Sequence, residues 1–310
     1  MATAAPPRVK AEARVVTLLP AATEIVAALG AVGSLVGVSH ECDYPPAARE
    51  LPRLTTTPID PEAPASRIDA EVRRLGAEGR PVIGVDAEAL RSLAPDLILT
   101  QGLCEVCAVA DGEVQRLARL LDPLPAVVSL SATTLAGISL DIRRIGDALG
   151  RSAQAEELVL DLERRLARLA LMPPPGQPRR VVCIEWLEPL YLAGHWVPEL
   201  VAAAGGRDVG SAPGAHSARR NWCEVTALHP DLVLVALCGF GVERARRDLD
   251  ALADAEARSV LAQTEVWLLD GNAYTSRPGP RVVDGAERIR AALEGRELPG
   301  LSRWRPVRAA

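Results

Sequence analysis

The apolar positions of the chain are most regular between residues 152 and 172, where leucines recur at the spacing of one helix face. These leucines are Leu158, Leu162, Leu166 and Leu169, and arginines occupy the opposite face. Residues three or four positions apart share a helix face, so the spacing predicts a helix. We expect Ser152 to cap its start by accepting a backbone N–H, and the prolines of residues 173–176 to end it. About 20 residues at about 1.5 Å each make a rod of roughly 30 Å.

The sequence on the two sides of this helix repeats, which favours a link between two lobes over an ordinary surface helix. Residues 24–30 read EIVAALG and residues 199–205 read ELVAAAG. Residues 93–99 read LAPDLIL and residues 228–234 read LHPDLVL. The second pair describes a helix end, a proline turn and a buried strand. Its recurrence in the same order predicts two lobes of similar build.

Short apolar runs alternate with helical patterns along both halves of the chain. The predicted strands include residues 15–19, 97–100, 126–130, 180–184, 232–236 and 266–269. This alternation predicts an α/β fold of two Rossmann-like lobes with parallel sheets, joined by a single long linker helix. The predicted boundaries are a tail over residues 1–13, a first lobe over 14–150, the linker helix over 151–172, a second lobe over 179–296 and a tail over 297–310.

Composition limits the classes of function. The chain has 310 residues, 48% of them apolar, which is enough for two domains with cores. Its net charge of -5 gives no support for a nucleic-acid partner. No apolar run reaches the roughly 20 residues of a membrane helix, so no membrane insertion is expected. The first residues lack the apolar core of a signal peptide, which predicts a cytoplasmic location with reduced thiols; a periplasmic or extracellular location is the alternative.

The aromatic residues are concentrated where strands end. Of nine in the chain, seven fall in predicted loops or turns: Tyr44, Trp186, Tyr191, Trp196, Trp222, Phe240 and Tyr274. The others are Trp267, inside a predicted strand, and Trp304, in the predicted tail. Ligands of open parallel sheets bind beyond the carboxyl ends of the strands. The pattern favours a cleft that grips a flat, partly apolar ligand, and the alternative is that the rings merely cover the sheet ends.

Histidine and cysteine residues follow the same strand ends. Cys104 and Cys107 form a CxxC motif, and with Cys42 and His40 they could complete a zinc site. The three cysteines could instead hold part of an iron–sulfur cluster, act as redox thiols, or simply pack a tight loop. His195 also lies in a predicted strand-end loop, and His216 lies in a loop rich in glycine and serine.

Several strings of the chain together resemble one family, the helical-backbone (class III) substrate-binding proteins of ABC importers. The matching strings are LPAATE at 19–24, LAPDLI at 93–98, AAGG at 203–206 and LHPD at 228–231, together with the linker helix. A subgroup of vitamin B12 (cobalamin)-binding proteins is similar through HECDYP at 40–45, CEVC at 104–107, GHWVPE at 194–199, CGF at 238–240 and SRPGP at 276–280.

This resemblance implies a binding protein rather than an enzyme, with a corrinoid such as cobalamin, or a related metal chelate, held between two lobes. The expected ligand-binding residues are His40, Tyr44, Glu185, Trp186, His195, Trp196, Phe240, Tyr274 and Arg277. Glu24 and Glu199 match the glutamates that dock on an ABC permease in this family. The alternative is a metal or iron–sulfur protein, or a cytoplasmic redox or cofactor-handling enzyme, that uses Cys42, Cys104 and Cys107.

Overall fold

The computed structural model describes residues 13–102, 109 and 111–306, and the chain folds as two α/β units. The described part of the first unit comprises residues 13–62, 70–102, 109, 111–132 and 136–161. The second comprises residues 63–69, 133–135 and 162–306. Residues 1–12, which hold most of the predicted amino-terminal tail, and the Cys104–Cys107 motif lie outside the described residues.

The first part of the chain alternates short strands and helices, as predicted. Its elements are β1 (Val15–Thr17), α1 (Pro20–Ala28), β2 (Leu35–Val38), β3 (Thr55–Thr56), α2 (Ala65–Ala77), β4 (Gly84–Val85), α3 (Ala87–Ser92), β5 (Leu97–Gln101), α4 (Asp111–Ala118), β6 (Ala126–Leu130), α5 (Leu135–Ala148) and α6 (Ser152–Leu171). The main sheet has the order β2-β1-β5-β6 with parallel pairing throughout. β1 and β5 are buried along their whole length, as strands covered by helices on both faces must be.

Helix α6 is the predicted linker helix, and the boundary between the two units falls inside it, after Asp161. Its first half packs closely on α5: a Cβ on Gly146 would lie 2.4 Å from the Cβ of Ala155. Ser152 was expected to accept a backbone N–H as the helix cap; in the structure its hydroxyl donates a hydrogen bond to Asp147 Oδ1 at 2.5 Å. Although α6 has 20 residues, it is rich in charge, and no described helix is both long and apolar enough to cross a membrane.

The second half of α6 is fixed to the second unit by arginines. Arg165 forms ion pairs with Asp284 at 2.5 Å and Glu287 at 2.9 Å. The guanidinium of Arg290 donates to the carbonyl oxygens of Leu169, Met172 and Ala204. These donors satisfy carbonyl groups that the end of a helix leaves without partners.

The second unit is built on a mixed sheet. Its elements are β7 (Arg180–Leu187), β8 (Leu190–Leu192), α7 (Val197–Ala203), β9 (Arg207–Asp208), β10 (Ala218–Arg219), α8 (Trp222–Ala227), β11 (Leu232–Val235), α9 (Val242–Ala251), α10 (Ala255–Gln263), β12 (Glu265–Leu269), α11 (Gly271–Tyr274), α12 (Val282–Leu293) and β13 (Leu301–Trp304). The strand order is β10-β8-β7-β11-β12-β13, with β9 beside β7. The central strands β7, β11 and β12 are parallel, whereas β8, β10 and β13 run antiparallel to their neighbours.

The predicted carboxy-terminal tail is wrong for residues 301–304, because they form strand β13 against β12. Trp304 is 7% exposed and belongs to the apolar core of the second unit. Its indole Nε1 donates to Asp250 Oδ1 at 2.9 Å. Leu301 and Trp304, at the two ends of the strand, are buried, and Arg303 between them is exposed. Four residues are too few for this pattern to stand out in the sequence.

Candidate functional site

The end of β7 and the loops that follow β11 and β12 meet at one edge of the second unit. The backbone N–H of Cys238 donates to the carbonyl oxygen of Glu185 at 2.9 Å, and the N–H of Asn272 donates to that of Phe240 at 3.1 Å. A Cβ on Gly271 would lie 2.2 Å from the carbonyl oxygen of Leu237, so the third segment approaches the second too closely for a side chain. These three segments therefore lie side by side at this edge of the sheet.

Trp186 and Phe240 form an aromatic pair at this edge. Their ring centroids are 5.8 Å apart and the planes are inclined by 31°, within the range of favourable aromatic contacts. Both side chains are half-buried. The guanidinium carbon of Arg244 lies 4.2 Å from the centroid of the Phe240 ring, as a cation–π contact requires. The pair therefore offers a rigid, partly exposed aromatic surface.

Arg244 is held in place from its other side. It is buried, and its Nε donates to Asp248 Oδ1 at 2.8 Å. Its Nη2 donates to the carbonyl oxygen of Ala63 at 2.5 Å. A guanidinium that is held by a carboxylate and a carbonyl oxygen cannot turn away from the ring that it covers. Arg244 therefore positions Phe240.

Three other residues of the predicted ligand site serve packing in this unit. Trp196 is 5% exposed and its Nε1 donates to the carbonyl oxygen of Thr275 at 3.0 Å. Arg277 is 6% exposed and donates to Asn272 Oδ1 at 2.7 Å. The ring of Tyr274 is covered by the guanidinium of Arg288 at 3.9 Å. Loop position alone does not fix the direction of a side chain, and a role of these three residues in ligand binding stays a prediction.

His195 lies close to His216. The Nε2 atom of His195 is 3.3 Å from Nδ1 of His216, and the rings meet edge to face at 89°. His195 has a φ of 54°, a left-handed conformation that is uncommon outside glycine. Burial, and next the neighbouring imidazole of His216, lower the pKa of His195, which favours the neutral ring.

In the first unit, His40 and Tyr44 follow strand β2. His40 Nδ1 lies 2.6 Å from Thr55 Oγ1, and its backbone N–H donates to the same oxygen at 2.9 Å. Burial, and next the charge of Arg53, lower the pKa of His40. Tyr44 is 45% exposed. A neutral imidazole whose Nδ1 is engaged has Nε2 left to approach a metal.

The structure gives no support for Cys42 as an exposed metal ligand. Cys42 is 0% exposed, and its Sγ lies 3.1 Å from Thr23 Oγ1 inside the first unit. Cys104 and Cys107 lie outside the described residues, so the proposed set with His40 stays a prediction. Within residues 13–102, 109 and 111–306, no group of three or more histidine, cysteine or acidic side chains has the arrangement of a metal site.

The two candidate docking glutamates are both engaged within the fold. Glu24 is 3% exposed, in helix α1. Glu199 is half-buried, and its Oε2 accepts the backbone N–H of Leu135 at 2.8 Å. A partner that uses these carboxylates would have to displace the groups that now cover them.

Asp208 was not identified from the sequence. Its Oδ1 accepts the backbone N–H groups of Gly210 and Ser211 at 2.8 and 3.0 Å. Its Oδ2 is buried and finds no hydrogen-bond partner among the described residues. Burial, only partly offset by the two N–H groups and by the neighbouring Cys183 thiol, raises the pKa of this carboxyl to about 6. An aspartate in a two-residue strand carries no sequence signal of this kind.

Relatives of known identity share both sequence and fold with this chain. The vitamin B12-binding protein of Vibrio cholerae is 23% identical over 278 residues, which cover 89% of this chain and 87% of that protein. The solved structure of the periplasmic vitamin B12-binding protein of Vibrio cholerae matches with a TM-score of 0.63, at 23% identity, over 91% of this chain and 97% of that one. The periplasmic heme-binding protein of the same species matches with a TM-score of 0.65, at 20% identity, over 91% and 99%. At such identities the structural likeness is one of fold.

The match to a protein family covers most of the chain. The sequence profile of the periplasmic binding protein family matches residues 15–266. This match overturns the predicted cytoplasmic location: the family and the solved structures are described as periplasmic, so a periplasmic location is the one supported. The fold agrees with the family, since both units are α/β and one long helix continues from the first into the second. The chain therefore belongs to the periplasmic binding protein family, a family of substrate-binding proteins rather than enzymes.

Proposed function

We propose that this protein binds a flat metal chelate, and that its ligand is a corrinoid such as cobalamin or cobinamide. The observation that carries the proposal is the Trp186–Phe240 pair at the strand-end edge of the second unit. A corrin ring is a broad, largely apolar disc around a cobalt ion, and an aromatic surface binds such a disc by stacking and by removing apolar area from water.

The rigidity of this surface supports the proposal. Arg244 covers Phe240, and the indole Nε1 of Trp186 donates to the carbonyl oxygen of Glu188 at 3.1 Å. Side chains that are already fixed lose little conformational freedom when a ligand binds, so more of the contact energy appears as affinity. The carboxylate of Glu185, half-buried next to Trp186 in the chain, is a candidate acceptor for the amide groups at the rim of a corrin.

The first unit has two candidate ligand-binding residues of its own. His40 is a candidate axial ligand of the metal in the chelate, because its Nδ1 is engaged by Thr55 and a neutral Nε2 suits cobalt or iron. Tyr44, exposed in the same loop, is a candidate for contact with the ring.

The similarity to the vitamin B12-binding protein favours a corrinoid as the ligand. Heme is the second candidate, since heme-binding proteins share the fold and heme is also a flat metal chelate.

We further propose that the protein passes its ligand to an ABC permease, with Glu24 and Glu199 as docking carboxylates. Glu199 supports this best, because it is only half-buried and one backbone N–H, that of Leu135, has to be exchanged for a basic side chain of the partner. An ion pair can replace such a hydrogen bond with little net change in energy.

A pair of substitutions at one position tests the ligand surface. Trp186→Phe keeps an aromatic ring and Trp186→Leu keeps apolar bulk without one. We expect Trp186→Leu to weaken cobinamide binding by about 2 kcal/mol, roughly 30-fold, because a central aromatic anchor is lost. Trp186→Phe should stay within a few-fold of the native chain. Calorimetric titration with dicyanocobinamide, alongside circular dichroism to establish folding, measures both.

Equal affinities for the two variants and the native chain would contradict the assignment of Trp186. In that case the ring neither stacks on the ligand nor shields it from water, and the aromatic pair only covers the sheet end.

A further inference from the structure

Two histidines of the second unit, His195 and His216, bring their ring nitrogens together in a long hydrogen bond, at a separation that also suits a pair of metal ligands. The separation of 3.3 Å between Nε2 of His195 and Nδ1 of His216 exceeds the usual range of about 2.7–3.2 Å for bonds donated by N–H. Zinc binds imidazole nitrogen at about 2.0–2.1 Å. Two nitrogens at that distance from one ion and 3.3 Å apart subtend about 105–110°, which is close to a tetrahedral angle.

The backbone holds the two rings at this separation. The N–H of His195 donates to the carbonyl oxygen of Ala215 at 2.6 Å, and the N–H of Gly214 donates to the carbonyl oxygen of His195 at 2.9 Å. A Cβ on Gly194 would lie 2.3 Å from the same oxygen of Ala215, so only glycine allows this approach. The left-handed φ of His195 is a further conformation that an ordinary loop avoids.

We infer that His195 and His216 form a two-nitrogen site for a divalent transition-metal ion, with zinc as the ion whose geometry fits the pair. Imidazole is a preferred ligand of zinc, copper and nickel. His216 is exposed, which leaves the remaining coordination positions to water or to a donor from outside the chain. The site uses neither Trp186 nor Phe240, so it stands independently of the corrinoid proposal.

Zinc titration of the full-length, untagged chain tests the inference. Accessible thiols are first alkylated with iodoacetamide, because cysteine would otherwise compete for zinc. We expect one equivalent of ZnCl2 to bind, and calorimetry to show that His216→Asn weakens binding by about tenfold or more, because both nitrogens hold one ion. His195→Asn should weaken it similarly, since asparagine tolerates a left-handed backbone. The double variant should be no weaker than either single one.

The chain offers a matched control. It contains four histidines, and His229 is exposed with a φ of 45°, the same kind of backbone as His195. His229→Asn should leave zinc binding unchanged. In ring-nitrogen NMR spectra, zinc should shift Nε2 of His195 and Nδ1 of His216 and leave the His229 resonances in place.

Three outcomes would overturn the inference: the native chain binding zinc no more tightly than His216→Asn, an equal loss in His229→Asn, or zinc-induced shifts at other ring nitrogens. Because His216 is exposed, its replacement leaves the fold intact and its result can be interpreted alone. The outcome of these zinc experiments does not depend on whether the protein binds a corrinoid.

Discussion

Replacing Trp304 with alanine is expected to lower the free energy of unfolding of the second unit by about 3–5 kcal/mol, the usual cost of removing a buried tryptophan. Although Trp304 lies six residues from the end of the chain, it packs in the same core as Val266 and Leu268 of the neighbouring strand. Its loss leaves a cavity beside β12 and removes the donor that satisfies Asp250 Oδ1.

Urea unfolding followed by circular dichroism measures this effect, and Arg303→Ala is its control. Arg303 is in the same strand but exposed, and its guanidinium lies 3.6 Å from the carboxylate of Glu265. Exposed ion pairs contribute about 0–1 kcal/mol, so the control should stay close to the native chain. If Trp304→Ala unfolds at the native urea concentration, β13 does not contribute to the core and the carboxy-terminal segment behaves as a tail.

Asp208→Asn is expected to stabilise the protein at pH 7.5, by up to about 3 kcal/mol at 1.36 kcal/mol for each unit of pKa. Burial raises the pKa of Asp208 from 3.8 to about 6. The folded chain therefore holds this proton more tightly than the unfolded chain does. The resulting stability is fully present below pH 3.8, is lost as the pH rises towards 6, and stays lost above that. Asparagine imitates the protonated form at every pH.

The pH dependence is the sharper part of this prediction. The gain in stability of Asp208→Asn over the native chain should be largest above pH 6 and should shrink as the pH falls towards 4. Asp60→Asn, at an exposed turn where Oδ1 accepts the N–H of Glu62 at 2.9 Å, is the control and should show no comparable gain. An Asp208→Asn variant that is less stable than the native chain at pH 7.5 would mean that the buried oxygen has a partner in solution.

The parts of the fold that the sequence predicts well are those whose burial is continuous. β5, β7, β11 and β12 read as short apolar runs because helices cover both faces of a parallel sheet. Helix α6 is visible because its leucines recur over five turns. β13 does not stand out in the sequence because it has four residues, of which only Leu301 and Trp304 are buried.

The candidate site was predictable to the level of the loop but not of the side chain. Trp186 lies near the end of β7, which extends three residues beyond the predicted strand end, and Phe240 follows β11; the parallel pairing of β7 and β11 brings these positions together. Trp196 and Arg277 also lie near strand ends, yet both side chains hydrogen-bond within the fold. The indole N–H of Trp196 donates to the carbonyl oxygen of Thr275, and the guanidinium of Arg277 donates to Asn272 Oδ1. Tertiary contacts of this kind depend on rotamers that no local pattern encodes.

The central claim, that the protein binds a flat metal chelate, is tested most directly by co-elution. The purified, untagged chain is mixed with a molar excess of dicyanocobinamide, and separately of hemin, and each mixture is passed through a gel-filtration column. We predict that the protein peak carries about one equivalent of cobinamide, seen as corrin absorption bands shifted from those of the free compound. A correctly folded protein that elutes without either pigment would contradict the claim.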